Sequence, residues 1–238
     1  MVSIHEIGFG GLKLLQDDEA YRYGVDAVLL ADFCRCPEGA YAADLGTDTG
    51  VIPLIICAKY APAKVFGVEL RKDAAELAVR NAELNGLSDR ISILNSDIKD
   101  CVQMLPCGAF DLVCSNPPYF EAGKGLNCAN GARQTARTET SARLSDFMQV
   151  SSRLLKKGGS LCMIHRPSRL ADLMTEARAA GLEPKELRMV APHSGEPANL
   201  VLLRFIKGAG KELRILPELA VRMADGSYTD EMKRIYEY

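Results

Sequence analysis

The sequence predicts an α/β domain: a seven-stranded, mostly parallel sheet with an antiparallel edge pair, helices on both faces and a small N-terminal arm. Three observations lead there. Between residues 40 and 115, four short apolar runs alternate with helix-length segments, the pattern of strands joined by crossover helices. Helices of this length between successive strands indicate parallel pairing, with both faces of the sheet covered. After a long break the chain closes with helix, strand, helix and two final strand-like runs. The 238 residues, 47% of them hydrophobic and 25% charged, suffice for one sizeable core. With no repeat, low-complexity tract or clear linker, residues 1–238 read as a single domain. Residues 1–38 would form a hairpin and helix extension, and residues 39–238 the core.

Taken in order, Ile7 to Tyr23 mixes glycines, apolar residues and the acidic cluster Gln16-Asp17-Asp18-Glu19, which suits a hairpin or arm. Val25 to Phe33, reached through Gly24, has helical spacing. Ala40–Leu45, Lys64–Glu69, Arg90–Asn95 and Phe110–Ser115 are the four strands. The segments between them are an apolar helix from Gly50-Val51 to Lys59, an amphipathic helix from Lys72 to Asn85 stopped by Gly86, and a short helix after Asp97. Residues 121–141 have no apolar period and read as a loop of about twenty residues, a length that in compact domains tends to be functional. Leu144 to Leu155 is a helix ending at Lys156-Lys157-Gly158-Gly159, Ser160–Ile164 a fifth strand, and Arg169 to Ala180 a helix capped by Gly181. Leu187–Val190 and Leu200–Phe205 form the edge pair, and Ile215 to Tyr238 adds a strand and a final helix.

Composition excludes several classes. No apolar run approaches the roughly 18 residues of a membrane span, and the N-terminus lacks signal-peptide character. Of eight cysteines, Cys57, Cys101, Cys114 and Cys162 lie inside apolar runs, and only Cys34-Arg35-Cys36 is closely spaced. No second pair or histidine cluster completes a metal site, so free thiols in a reducing cytoplasm are expected. His5, His165 and His193 lack partners at ligand or triad spacing and read as structural. The net charge of −2 hides an asymmetry: residues 1–120 carry 10 Lys and Arg against 17 Asp and Glu, and the remainder 19 against 14. A basic second half can present a positive face to a polyanion, although solvated surface charge explains it as well.

Two stretches carry chemistry. Asp44-Leu45-Gly46-Thr47-Asp48-Thr49-Gly50 closes the first parallel strand and opens the first crossover helix, where open α/β sheets bind ligands. Glycines there let a ligand approach the backbone. Glu69 ends the second strand, nineteen residues after Gly50, and can accept from ribose hydroxyls. Asp97, ending the third, can accept from an adenine amino group. The fourth strand runs into Asn116-Pro117-Pro118-Tyr119. Two prolines fix φ and remove two donors, leaving rigid carbonyl acceptors. Asn116 adds a side-chain acceptor and Tyr119 a stacking face. Two fixed acceptors beside an aromatic plate suit a planar group bearing an NH2, such as adenine, cytosine or a glutamine amide.

On these residues the chain resembles the class I S-adenosylmethionine-dependent methyltransferases, a Rossmann-like fold, in the amino-methylating branch with a [DNS]-Pro-Pro-aromatic motif. Within it the chain is most similar to the bacterial tRNA(Val) adenine-N6 methyltransferase family. The likeness spans Tyr23–Leu30, the glycine loop, Val68-Glu69, Asp97, Ser115–Phe120 and Ala136–Glu139. It implies that Asp44, Gly46, Gly50, Glu69, Asp97 and Asn116 hold S-adenosyl-L-methionine, released as S-adenosyl-L-homocysteine. It further implies that Asn116 and the Pro117 carbonyl accept the hydrogens of an adenine N6 amine in tRNA while Tyr119 stacks on the base. Arg133 and Arg137, with Arg143, Arg166 and Arg169, would hold phosphates. Asp26 would help close the cofactor pocket or, equally, cap a helix. No metal, covalent nucleophile or membrane is implied. One departure is Asp48, where the pattern has glycine: its charge near the cofactor's carboxylate would weaken binding, unless it turns toward the ammonium. Three other readings stand beside this one. They are a glutamine-amide methyltransferase of the release-factor type, which usually carries a larger helical N-terminal domain, a ribosomal RNA base methyltransferase, and a non-catalytic RNA-binding relative.

Overall fold

The sheet at the centre of the computed structural model runs through nine strands, and residues 2–17, 24–118 and 142–236 are described. Its strands in chain order are β3 (Tyr41–Leu45), β4 (Lys64–Glu69), β5 (Ile91–Asn95), β6 (Phe110–Ser115), β7 (Leu155–His165), β8 (Leu182–His193), β9 (Leu200–Lys207), β10 (Arg214–Ile215) and β11 (Leu219–Arg222). The spatial order is β10-β8-β9-β7-β6-β3-β4-β5, with β11 also on β8. Strands β3 to β7 are mutually parallel; β9 runs antiparallel between β7 and β8, so β8 again points the way of β7. The expected seven strands are β3 to β9, and β10 and β11 are short additions from the tail. A separate hairpin pairs β1 (Val2–Glu6) with β2 (Lys13–Asp17).

Helices cover both faces. On one side lie α1 (Val25–Cys34), α2 (Val51–Lys59), α3 (Lys72–Leu84) and the closing α7 (Asp230–Tyr236); on the other lie α4 (Ile98–Cys101), α5 (Leu144–Leu154) and α6 (Leu170–Ala179). The first core joins Leu14 of the hairpin to Val28, Leu29 and Leu30 of α1, Leu54, Ile55 and Ile56 of α2, and Ile235 of α7. The second joins Phe110 and Val113 of β6 to Met148 and Leu154 of α5 and Leu173 of α6. Each such side chain, fully buried, contributes about 1.5–3 kcal/mol relative to exposure.

The helix expected to end at Lys156-Lys157-Gly158-Gly159 does end before them, but the strand expected to begin at Ser160 begins at Leu155. The helix stops at Leu154, and these residues bulge within β7, between the Phe110–Leu155 and Leu112–Ser160 pairs. Gly159 is required by close approach: a Cβ there would lie 2.9 Å from the Phe110 carbonyl oxygen. Lys156 pairs with Asp111 across the bulge. The Lys-Lys-Gly-Gly run stops the helix as its local pattern reads, and its glycines also allow the bulge inside the strand that follows.

The hairpin is docked unusually. Asn81 on α3 and Asn85, the C-cap that follows it by one turn, act as a substitute strand for β2. Leu15 N–H donates to Asn81 Oδ1 (2.6 Å) and Lys13 N–H to Asn85 Oδ1 (2.9 Å), while each Nδ2 donates back to the carbonyl of the same residue. Asn81 is fully buried and also donates to the Thr49 carbonyl at 2.9 Å, so it joins the hairpin to the loop after β3.

Candidate active site

The strand order turns at β3: β4 and β5 extend one way, β6 and β7 the other. Ligands in open α/β sheets bind outside the carboxyl ends at such a reversal. Here β3 delivers Asp44 and the loop Gly46–Gly50, and β6 delivers Asn116-Pro117-Pro118. The two ends are tied together by Ser115 Oγ, which is buried and donates to the Leu45 carbonyl at 2.7 Å. The glycine loop and the double-proline loop are therefore neighbours.

The glycine loop hugs β4, with the amides of Gly46 and Thr47 donating to the Val68 carbonyl at 2.9 and 3.0 Å. Gly46 has φ +78°, and a Cβ built there meets nothing within 4 Å, so its face is open to a ligand. Gly67, opposite Asp44 on β4, makes room for the loop: a Cβ there would lie 2.8 Å from Thr47 Cγ2. Asp48 occupies the left-handed region at φ +48°, tolerated by Asp better than by most residues. Its N–H donates to Glu69 Oε2 (2.9 Å), and its carboxylate accepts from Arg71 Nη2 (2.8 Å). Arg71 is the residue sequence reasoning missed here. It faces Asp48, Glu69 at 3.9 Å and Asp73 at 3.8 Å, so Asp48 enters the site with a counter-charge.

Two carboxyls are tuned by burial. Asp44 is fully buried, and desolvation pushes its carboxyl up to about 7, with the Cys114 thiol beside Oδ1 favouring the charged form. Its Oδ2 and the Thr47 Oγ1 are buried atoms with no hydrogen-bond partner within the described residues. Burial also raises Glu69, whose two oxygens accept from the N–H groups of Asp48 and Arg71, which hold the rise back. Asp97, expected at an adenine, also caps α4, its Oδ1 accepting from the Lys99 N–H at 2.9 Å.

At the β6 end, Asn116 Nδ2 donates to Asp26 Oδ2 at 3.0 Å. Asp26 lies in the first turn of α1, whose N-cap is Gly24, so the expected N-cap role for Asp26 is corrected. His165, at the end of neighbouring β7, is buried and its imidazole is pushed down to about 4 by desolvation and by Arg169; its Nδ1 accepts from the Arg166 N–H. Arg143 is the N-cap of α5 and Arg169 pairs with Asp172 at 2.6 Å. Tyr119, Arg133 and Arg137 lie outside the described residues. The structure thus brings together Asp44, Gly46, Gly50, Glu69, Asp97, Asn116 and Pro117 at the carboxyl ends of β3 to β6. Among the described residues there is no cluster of three or more potential metal ligands, and no helix is long and apolar enough to cross a membrane.

Comparison with known proteins bears on this geometry. The family described as "Methyltransferase small domain" matches residues 25–177. A protein of Porphyromonas gingivalis named tRNA1(Val) (adenine(37)-N6)-methyltransferase is 33% identical over 92% of this chain and 88% of its own length. One of the same name from Yersinia pseudotuberculosis is 31% identical over 89% of this chain and 82% of its own. Among solved structures, a predicted O-methyltransferase of Agrobacterium tumefaciens superposes with a TM-score of 0.72 at 24% identity, covering 89% of this chain and 95% of that one. The likeness to that structure shows the fold.

Proposed function

The chain belongs to the methyltransferase small domain family, and from that premise we propose that it methylates the exocyclic N6 amine of an adenine in tRNA, the adenine 3′ of the tRNA(Val) anticodon. The observation that carries this reading is the junction of two loops. The Asn116-Pro117-Pro118 acceptor loop is bound through Ser115 to the end of the strand bearing Asp44 and the glycine loop. The names of the relatives at 31–33% identity support the substrate.

The methyl donor is S-adenosyl-L-methionine, which supplies an electrophilic methyl group on a sulfonium. The residues present fit it. Asp44 Oδ2 and Thr47 Oγ1 are buried oxygens without a partner, and the open face of Gly46 leaves room beside the backbone. Glu69, whose two oxygens already accept backbone N–H groups, has the remaining lone pairs for ribose hydroxyls. Asp97 would serve the adenine amine of the donor.

Asn116 Oδ1 and the Pro117 carbonyl would accept the two hydrogens of the target amine. That holds the nitrogen lone pair out of conjugation with the ring and aims it at the methyl carbon; one hydrogen leaves the nitrogen as a proton after transfer. Catalysis of this kind is positioning and electrostatics. The target base must be unstacked or already single-stranded, which an anticodon loop provides. Tyr119 would stack on it, and Arg133 and Arg137 would hold the neighbouring phosphates.

The test is transfer of labelled methyl from S-adenosylmethionine to a mixture of undermodified tRNA and cell protein, followed by nucleoside digestion. Label is expected as N6-methyladenosine in tRNA. Label in protein instead would move the substrate to a glutamine amide. Asn116→Ala should abolish turnover while S-adenosylhomocysteine binding stays nearly intact, because Asp44, Glu69 and Asp97 remain; complete loss of that binding would contradict the acceptor role given to Asn116.

A further inference from the structure

We propose that Asp26 is a positioning residue for methyl transfer, its carboxylate holding the Asn116 side-chain amide in the one orientation that presents Oδ1 to the target amine. The inference rests on the methyl-transfer reading above and concerns a residue 90 positions away in sequence.

A primary amide carries its acceptor and its donors on opposite arms. Turned by 180° about χ2, Asn116 would offer N–H groups to an amine that itself brings hydrogens, and the contact would become repulsive. The backbone is already confined, because the residue before a proline is restricted to the extended region and Pro117 and Pro118 follow. What the prolines do not fix is the side chain. Nδ2 donates to Asp26 Oδ2 at 3.0 Å, which directs Oδ1 away from α1. A bond to a carboxylate is stronger than one to a neutral acceptor.

Asp26 is suited to hold rather than follow. It is 8% exposed, and its Oδ1 accepts from the Ala27 N–H at 3.1 Å. It sits in the first turn of a ten-residue helix whose residues are largely buried, where the helix dipole favours an anion. The carboxylate also dictates what position 116 can be. An Asp at 116, which the broader motif allows, would face a second carboxylate at hydrogen-bond distance, and two such charges disfavour each other strongly.

The pair is tested by exchange. The readouts are kcat and KM on tRNA, calorimetric affinity for S-adenosylhomocysteine, and the Asn116 side-chain NH2 resonances, assigned by their absence in Asn116→Asp. In Asp26→Ala, kcat should fall roughly 10- to 100-fold, the range a charge-assisted hydrogen bond covers, with cofactor affinity within about threefold and loss of exchange protection at the NH2. Asp26→Asn keeps an acceptor and should hold kcat within about fivefold. Asn116→Asp should lose about 100-fold or more, and the double variant Asp26→Asn with Asn116→Asp should recover at least about tenfold of it, because the new amide donates to the new carboxylate. A kcat for Asp26→Ala within about threefold of the parent overturns the proposal, as does a double variant no better than Asn116→Asp. If Asp26→Ala does not fold, the exchange pair decides alone. If the parent transfers no methyl to tRNA, the functional reading fails, while the NH2 resonances still report whether Asp26 holds the amide.

Discussion

Replacing Asp44 by Asn should remove a contribution to stability whose pH dependence runs opposite to ordinary acid denaturation. The carboxyl is fully buried at the end of β3, and burial lifts it from 3.8 to about 7. That gap corresponds to about 4 kcal/mol of unfavourable charge burial once the group is ionised. The folded chain holds this proton more tightly than the unfolded one, so between about pH 4 and pH 7 the native state binds more protons and stability falls as pH rises. Somewhat less than half of it is already expressed at about pH 5, where the unfolded carboxyl has ionised, which leaves roughly 2–3 kcal/mol to appear by about pH 8.5. Asn carries no charge, and its buried N–H groups add a penalty of about 1–3 kcal/mol that does not change with pH. The stability difference between variant and parent should therefore move by roughly 2–3 kcal/mol in the variant's favour from about pH 5 to about pH 8.5. Urea unfolding of the ligand-free protein, followed by far-ultraviolet circular dichroism and extrapolated linearly, measures it. An equal difference at the two pH values would refute the reasoning, since it would place the titration of Asp44 near its ordinary value.

Two further outcomes follow from the same neighbourhood. Arg71→Ala should weaken S-adenosylhomocysteine binding roughly tenfold, because Asp48 and Glu69 lose their counter-charge, and adding Asp48→Gly should restore most of it; calorimetry showing no restoration would mean that Arg71 does not screen Asp48. Asn81→Ala should cost about 2 kcal/mol by orphaning the Leu15 N–H and should speed hydrogen exchange at that amide, whereas unchanged protection would show that the hairpin is held by other contacts.

Much of this was legible in the chain because it is local. The strands β3 to β6 announce themselves as apolar runs, and the residues at their carboxyl ends are those that topology brings together: Asp44, Glu69, Asp97 and Asn116. What escaped is what depends on distant partners. The need for glycine at 159, inside the bulge, is set by the distant Phe110 carbonyl. The Asp26–Asn116 bond joins the start of one helix to the end of a strand with no shared local pattern. Arg71 looks like any surface arginine until its guanidinium is seen between Asp48 and Glu69. Asn81 did leave a signal: it falls on the buried stripe Ala74, Ala75, Ala78, Ala82 of α3, where a polar side chain needs a partner.

The asparagine docking of the hairpin has a bearing on how this protein can diverge. At positions 13 and 15 the contacts to α3 are made by backbone amides and carbonyls, so the identities of Lys13 and Leu15 are not read by Asn81 or Asn85. Drift at these two sites is free as far as that joint is concerned, while the two asparagines must be kept together. Proline is the exception: at either position it deletes the donated N–H, and no compensating change on α3 can put it back.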